Sequence, residues 1–247
     1  MEVIKVGIID DDGSKVTQIM THLLYGMKDA SKQKADKYSN VRFDVFEIPL
    51  SSDMNDIAEY IIDEKIDALL IDYNLTSYAT VPYTGVQLAR YIQERFMECP
   101  LFILTSYEDE LYEQEVFDVY QIFDFERYLS EPQERIELHY KLIQQVVKYH
   151  KQLELWKKEI ENLLPQKGQS SAIDKRILEL DSKLEKSIDG HAAIPDEVKN
   201  DLQSNKLDEL IGKIIQVEYR EFNKDTQKLR FPRYIRTRFD KEVEDIL

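Results

Sequence analysis

Acidic and hydroxyl side chains follow three short apolar runs in the first half of the sequence. They are Asp10, Asp11 and Asp12 after Val6–Ile9, Asp72 after Ala68–Ile71, and Thr105 and Ser106 after Leu101–Leu104. Carboxylates gathered in one place repel one another unless a hard divalent cation such as Mg²⁺, which prefers oxygen ligands, lies among them. Such an ion would neutralise an incoming phosphoryl group, so that one carboxylate could attack phosphorus. These residue types therefore indicate magnesium-dependent phosphoryl chemistry, provided that the fold brings them together.

The elements that must position these side chains alternate along the first 130 residues or so. The predicted buried strands are Val6–Ile9, Val41–Phe46, Ala68–Ile71, Leu101–Leu104 and a short fifth strand near Arg127–Leu129. The amphipathic stretches between them, which have helical spacing, are Lys15–Lys28, Met54–Glu64 and Gly85–Phe96. Alternation of this kind predicts a doubly wound parallel sheet with helices on both faces. The carboxyl ends of parallel strands meet at one edge, so the acids and hydroxyls are expected to converge there.

The acid pair, the later single acid and the threonine resemble, in this order, the receiver domain of bacterial two-component response regulators. The resemblance covers residues 3–137 and implies a five-stranded flavodoxin/CheY-like sheet in a domain at 1–137. It implies that Asp10, Asp11 and Asp72 bind Mg²⁺ together with the main-chain carbonyl of Asn74. Asp72 would accept the phosphoryl group, and Thr105 would bond to it.

Further residues extend this resemblance, and one departs from it. Gly85 matches the glycine that opens the helix after the phospho-acceptor loop, and Tyr128 matches the aromatic residue that swings inward to report phosphorylation. The family ends the domain with a lysine before proline, where this sequence has Glu131 before Pro132. A negative charge in place of that lysine weakens phosphoryl binding. A degenerate pseudo-receiver is therefore an alternative.

The sequence after Pro132 is predicted to be helical, as an output and dimerisation region over 138–247. Apolar residues recur at steps of four and three in a coiled-coil seam over 139–164: Leu142, Val146, Tyr149, Leu153, Trp156, Ile160 and Leu163. The seam is expected to pair with a second chain in a homodimer, or with a following helix that carries Ile173–Ile188. Two further helices are predicted, from Pro195 through Val217 and from Pro232 to Ile246. His139 and His150 are interpreted as surface or seam residues.

Composition narrows the class of protein. The 247 residues carry a formal net charge of −15, which disfavours nucleic acid and anionic membrane as partners. Cys99 is the single cysteine and no apolar run reaches 18 residues, so we expect a soluble, cytoplasmic protein without an internal disulfide. A basic and aromatic segment, 220–241, could pair with acidic surfaces or contact nucleic acid, and the first is favoured.

These observations together predict a regulator and not an enzyme. A histidine kinase or other phosphodonor would act upstream and a protein effector downstream, without a DNA-binding domain. Two alternatives remain open. One is a phosphohydrolase resembling the haloacid dehalogenase family, with Asp10 as nucleophile and Asp12 as acid/base. The other is a structural adaptor that works without phosphorylation.

Overall fold

The computed structural model describes most of the chain in two compact units, 1–152 and 153–247. The described residues are 2–28, 30–106, 121–195, 215–218, 221–223, 228–230 and 233–237. Each unit is described by itself. Among these residues, no helix has the length and apolar character needed to cross a bilayer.

The first unit contains a parallel sheet of five strands. The strands are β1 (Glu2–Ile9), β2 (Val41–Glu47), β3 (Ala68–Asp72), β4 (Leu101–Thr105) and β5 (Ile122–Asp124). Their order is β2-β1-β3-β4-β5, and every neighbouring pair is parallel. This is the doubly wound order of flavodoxin and CheY. The predicted fold class of the N-terminal half is therefore confirmed.

Helices cover both faces of this sheet and complete the unit. They are α1 (Gly13–Tyr25), α2 (Lys32–Lys37), α3 (Met54–Glu64), α4 (Gly85–Arg95), α5 (Phe125–Ser130) and the long α6 (Pro132–Leu163). Every residue of β3 and β4 is buried, which explains why these strands are nearly uninterrupted apolar runs. Alternate strand residues enter separate cores: Leu70 packs in the core that contains α1, and Ile71 in the core that contains α3 and α4.

The fifth strand lies earlier in the sequence than predicted. It spans Ile122–Asp124, and the predicted strand at Arg127–Leu129 is part of helix α5. The Asp124 carboxylate accepts a hydrogen bond of 2.7 Å from the Arg127 amide, which starts the helix. Phe125 and Tyr128 are both buried, and their spacing of three places them on one face of this helix.

The first part of α6 belongs to the core of the first unit. Ile136, Leu142 and Val146 are buried in the same cluster as residues of α1, so the unit runs to Gln152, beyond the predicted boundary at 137. His139 is fully buried, which corrects its interpretation as a surface or seam residue. His150 is 41 % exposed, and its Nε2 lies 2.9 Å from Asp67 Oδ1.

The second unit contains a pair of helices joined by a tight connection. The end of α6 leads through a 3₁₀ turn, Leu164–Gln166, into α7 (Ser171–Asp189). The Arg176 guanidinium of α7 donates to both carboxylate oxygens of Glu159, at 2.6 and 3.0 Å, and Lys183 lies over the Trp156 ring. This part of the heptad seam therefore contacts the following helix of the same chain. Homodimerisation stays a prediction.

The C-terminal region was predicted to be entirely helical, but it also contains strands. Four strands, β6 (Ile215–Glu218), β7 (Glu221–Asn223), β8 (Lys228–Arg230) and β9 (Arg233–Thr237), occupy parts of it. Strand β6 pairs with β9 and β7 with β8, both antiparallel. Apolar and polar residues alternate in β6, β7 and β8, the period typical of strands. The rest of the two predicted helices, namely 196–214, residue 232 and 238–246, lies outside the described residues.

Candidate functional site

Three carboxylates meet at the carboxyl edge of the parallel sheet. Asp10, Asp11 and Asp72 each offer an oxygen, and these oxygens all lie within 4.8 Å of one another. They converge because β1 and β3 are neighbours in register, with Ile9 opposite Ile71, so the residues after them are adjacent. Asp10 is 9 % exposed and Asp72 5 % exposed. The structure therefore brings together the three acids that the sequence singled out.

Burial makes the negative charge in this cluster unfavourable. It raises the pKa of Asp10 from 3.8 to about 7, and the charge of Asp72 adds to the effect. The Asp12 amide opposes the rise by donating a 2.8 Å hydrogen bond to Asp10 Oδ1. Burial also raises the pKa of Asp72, against the opposing charge of Lys15. A site of this kind is stabilised by a positive charge placed among the carboxylates.

The donor set fits a hard divalent cation. Three carboxylates within mutual reach are ligands that Mg²⁺ accepts while keeping waters. The Asn74 amide donates to Asp72 Oδ2 at 3.1 Å, and its side-chain oxygen accepts from the Thr76 amide and hydroxyl, so the chain turns directly after β3. The Asn74 main-chain carbonyl as a ligand stays a prediction.

The loop between β3 and α4 closes against the cluster. The amides of Tyr78 and Ala79 both donate to Asp11 Oδ2, the second at 3.2 Å. At the end of the loop, a Cβ added to Gly85 would lie 1.9 Å from the Asp72 carbonyl oxygen. Only glycine, which has no Cβ, allows the main chain to come this close. This is a physical reason for a glycine at position 85, where the resemblance also expects one.

Thr105 lies at the end of β4, one strand beyond Asp72. It is 1 % exposed, and Asp72 pairs in register with the preceding residue, Leu104. On its other side Thr105 pairs with Asp124, the last residue of β5. The structure therefore places Thr105 at the same sheet edge as the acids, and it places an acid at the end of β5.

Glu131, which the sequence analysis compared with the lysine of the resembling family, does not lie at the end of a strand. Glu131 follows α5, is half-exposed, and pairs with Arg127 at 3.3 Å. The end of β5, next to Thr105 at the carboxyl edge of the sheet, is occupied by Asp124. This strand end therefore carries an acid and not a lysine.

Tyr128 is not brought to the acidic cluster. It lies on α5, 1 % exposed, with its hydroxyl 3.1 Å from His139 Nε2 and its ring edge-on to His22 at 5.7 Å. His22 is in the last turn of α1, whereas Asp10 and Asp11 precede the first turn. With 13 residues, α1 is about 20 Å long. The structure thus places Tyr128 near the opposite end of this helix.

Lys15 is the site residue that the sequence analysis missed. Its Nζ lies 3.4 Å from Asp72 Oδ1 and 5.2 Å from the centre of the Phe125 ring. Partial burial acts to lower the pKa of Lys15, but the charges of Asp72 and Asp10 outweigh it and raise that pKa. Its position in the first turn of α1, directly after the strand-end acids, is the sequence signal that could have identified it.

The comparisons with known proteins return response regulators at low similarity. No protein-family model matches the sequence, and no curated protein matches it significantly. A two-component transcriptional regulator AraC from Clostridium phytofermentans is 15 % identical with a TM-score of 0.41, the match covering 60 % of this chain and 98 % of that one. The anti-anti-sigma factor PhyR from Bartonella quintana is 12 % identical, with a TM-score of 0.39 and coverage of 62 % and 50 %.

A third solved structure is the RcsB response regulator from Salmonella typhimurium. It is 13 % identical with a TM-score of 0.39, and the match covers 75 % of this chain and 93 % of that one. The strand order and the acids at the sheet edge show that the first unit has a receiver-like, CheY-like fold.

Proposed function

We propose that this chain is an atypical response regulator in which Asp72 accepts a phosphoryl group. The observation that carries the proposal is the convergence of Asp10, Asp11 and Asp72 at the carboxyl edge of a sheet with the order 2-1-3-4-5. Thr105 at the end of the neighbouring strand supports it, because its hydroxyl is of the kind that bonds an acyl phosphate. A histidine kinase or a small phosphodonor supplies the phosphoryl group.

Each residue has a stated part in this reaction. A carboxylate oxygen of Asp72 attacks phosphorus, and the donor's leaving group departs with the electron pair of the broken P–O or P–N bond. Asp10, Asp11, Asp72 and the Asn74 carbonyl would hold Mg²⁺, whose positive charge would lower the repulsion between the two anions. The Thr105 hydroxyl donates to a phosphoryl oxygen. The close approach of Gly85 to the Asp72 carbonyl holds the loop between β3 and α4 near Asp72.

The output passes through protein contacts of the region after Gln152. Helix α6 continues without a break from the first unit into the second, from Pro132 to Leu163. A switch requires two states with different contacts, and this helix is the element through which a change in the first unit reaches residues after Gln152. We include in the proposal a homodimer through this region and a protein effector.

The test is a phosphorylation assay on the full chain. The protein is incubated with Mg²⁺ and acetyl phosphate, and intact mass and oligomeric state are recorded. We expect one phosphoryl adduct that is absent in Asp72→Asn and retained in Asp36→Asn, a control on exposed helix α2. Absence of an adduct in the wild-type protein at every donor concentration would contradict the proposal.

One observation favours the structural adaptor as a second candidate. Asp11 already accepts two loop amides, and Asp72 already contacts Lys15, so part of the acidic charge is compensated without a metal. In this case Mg²⁺ and phosphodonors change neither mass, stability nor assembly. The phosphohydrolase alternative has less support, because the Asp12 carboxylate caps α1 by accepting from the Ser14 amide at 2.8 Å.

A further inference from the structure

A phosphoryl group on Asp72 needs a positive charge beyond that of the metal. The lysine that the resembling family uses for this is absent here. The group brings about two negative charges next to Asp10 and Asp11. The strand end beside Thr105 carries Asp124, whose carboxylate caps α5. Glu131, further on, pairs with Arg127. Of the described cations near β5, Arg127 is paired with Glu131 and Glu134, and Lys141 lies over the Phe123 ring, whereas Lys15 contacts Asp72 itself.

Lys15 supplies a positive charge on that side of Asp72 from a different element. Its ammonium is 3.4 Å from Asp72 Oδ1, and it also lies over the ring of Phe125, which directly follows β5. These two contacts place the ammonium between the acceptor carboxylate and the β5 end. Phe125 is 3 % exposed, so the ring that supports the ammonium is held in the core.

The side chain has the reach that this role requires. A lysine ammonium is a compact charge on a flexible stem with three donors, so it can move from a carboxylate oxygen to a phosphoryl oxygen. Lys15 is 27 % exposed, whereas Asp72 is 5 % exposed, so the ammonium is the more accessible of the two groups to a donor that arrives from solvent. Its contact with Asp72 Oδ1 is long for a charge-assisted hydrogen bond, which leaves room to re-form it with a closer partner.

We propose that Lys15 binds the phosphoryl group on Asp72 and so replaces the lysine that is absent from the end of β5. The inference rests on the proposed function. With acetyl phosphate, the bond from Asp72 to phosphorus forms while the bond from phosphorus to the acetyl oxygen breaks, and acetate leaves with the electron pair. Lys15 stays protonated throughout, and its hydrogen bond passes from the carboxylate to the phosphoryl group.

The experiment compares Lys15→Gln and Lys15→Arg with Lys32→Gln, an exposed-lysine control on α2. Labelling rate with acetyl phosphate and Mg²⁺, and the affinity for beryllofluoride, are measured on the full chain. We expect Lys15→Gln to lower both by about tenfold to a hundredfold, the range for a lost hydrogen bond between charged groups. Lys15→Arg should retain part of the function, and Lys32→Gln should match the wild type.

A Mg²⁺ titration by calorimetry gives a readout that does not depend on phosphorylation. Loss of the ammonium beside Asp72 removes a charge that repels the metal, so Lys15→Gln should bind Mg²⁺ as tightly as the wild type or several-fold more tightly. Weaker Mg²⁺ binding together with a lower melting temperature in both Lys15 variants would mean a structural role and would overturn the proposal.

The outcomes separate this inference from the proposed function. A labelled wild type with an equally labelled Lys15→Gln overturns the role of Lys15 and leaves phosphorylation of Asp72 standing. A wild type that is never labelled overturns both. A labelled wild type with impaired Lys15→Gln and normal Mg²⁺ binding supports both.

Discussion

Replacing Asp10 by asparagine should stabilise the metal-free protein at neutral and alkaline pH. The charged Asp10 carboxylate is unfavourable because it is buried next to Asp72, which raises its pKa from 3.8 to about 7. That difference corresponds to about 4 kcal/mol, and solvent screening at an open sheet edge reduces it to about 1–3 kcal/mol. An asparagine oxygen can still accept the hydrogen bond from the Asp12 amide.

The pH dependence follows from the direction of this shift. Between pH 4 and pH 7, Asp10 binds more protons in the folded chain than in the unfolded chain. The stability of the wild type therefore falls as pH rises through this window, and the loss is complete above it. Asp72, Asp11 and Lys15 also face Asp10 and are present in both proteins, so the difference between wild type and variant reports the Asp10 carboxylate together with its coupling to Asp72.

The assay is urea unfolding followed by far-UV circular dichroism in EDTA, at pH values from 4.5 to 8.5. The free energy of unfolding of Asp10→Asn should exceed that of the wild type by an amount that grows up to about pH 7 and is constant above it. Asp36→Asn is the control, because an exposed carboxylate loses little hydration on folding. A difference of the same size at pH 4.5 and pH 8.5, or a less stable variant at pH 8, would refute the reasoning. Mg²⁺ should stabilise the wild type more than Asp10→Asn.

Two further changes test the packing around the site and behind it. Gly85→Ala should destabilise the first unit by about 2 kcal/mol or more and abolish labelling, because the alanine Cβ would overlap the Asp72 carbonyl. Thermal unfolding measures the stability and intact mass the labelling, and unaltered labelling would contradict the prediction. His139→Ala should lower the free energy of unfolding in urea by about 2–4 kcal/mol, because the buried ring hydrogen-bonds to the Gly26 carbonyl at 2.9 Å and to the Tyr128 hydroxyl at 3.1 Å. A loss below about 1 kcal/mol, the scale of a surface substitution, would show that these hydrogen bonds contribute little.

Much of the first unit could be predicted from local sequence. Three of its strands contain short apolar runs, and a fourth, β2, alternates apolar with polar residues over most of its length. Helix α3 was predicted with the bounds that the structure has, Met54–Glu64. Its start is set by Asp53, whose side chain accepts from the Asn55 amide. The acids after β1 and β3 were found because a strand end is visible in sequence, and parallel strands bring such ends to one edge.

Other features could not be predicted because no local pattern encodes them. Strand β5 has three residues, too few to show a period, and the apolar residues after it have a spacing that fits a strand or a helical turn. In 215–237 the alternation typical of strands competed with apolar residues at helical steps. The heptad pattern of α6 is the same whether its partner is the core of the first unit, α7 or a second chain.

The sequence by itself determined which residues could take part in phosphoryl chemistry and which class of fold would gather them, because both depend on residue type and on short-range spacing. Only the tertiary structure decided what surrounds Asp72. Lys15, the loop amides on Asp11, and Asp124 beside Thr105 are brought together from separate elements. Contacts of this kind depend on strand order and on side-chain reach, and neither is a property of neighbouring residues in the chain.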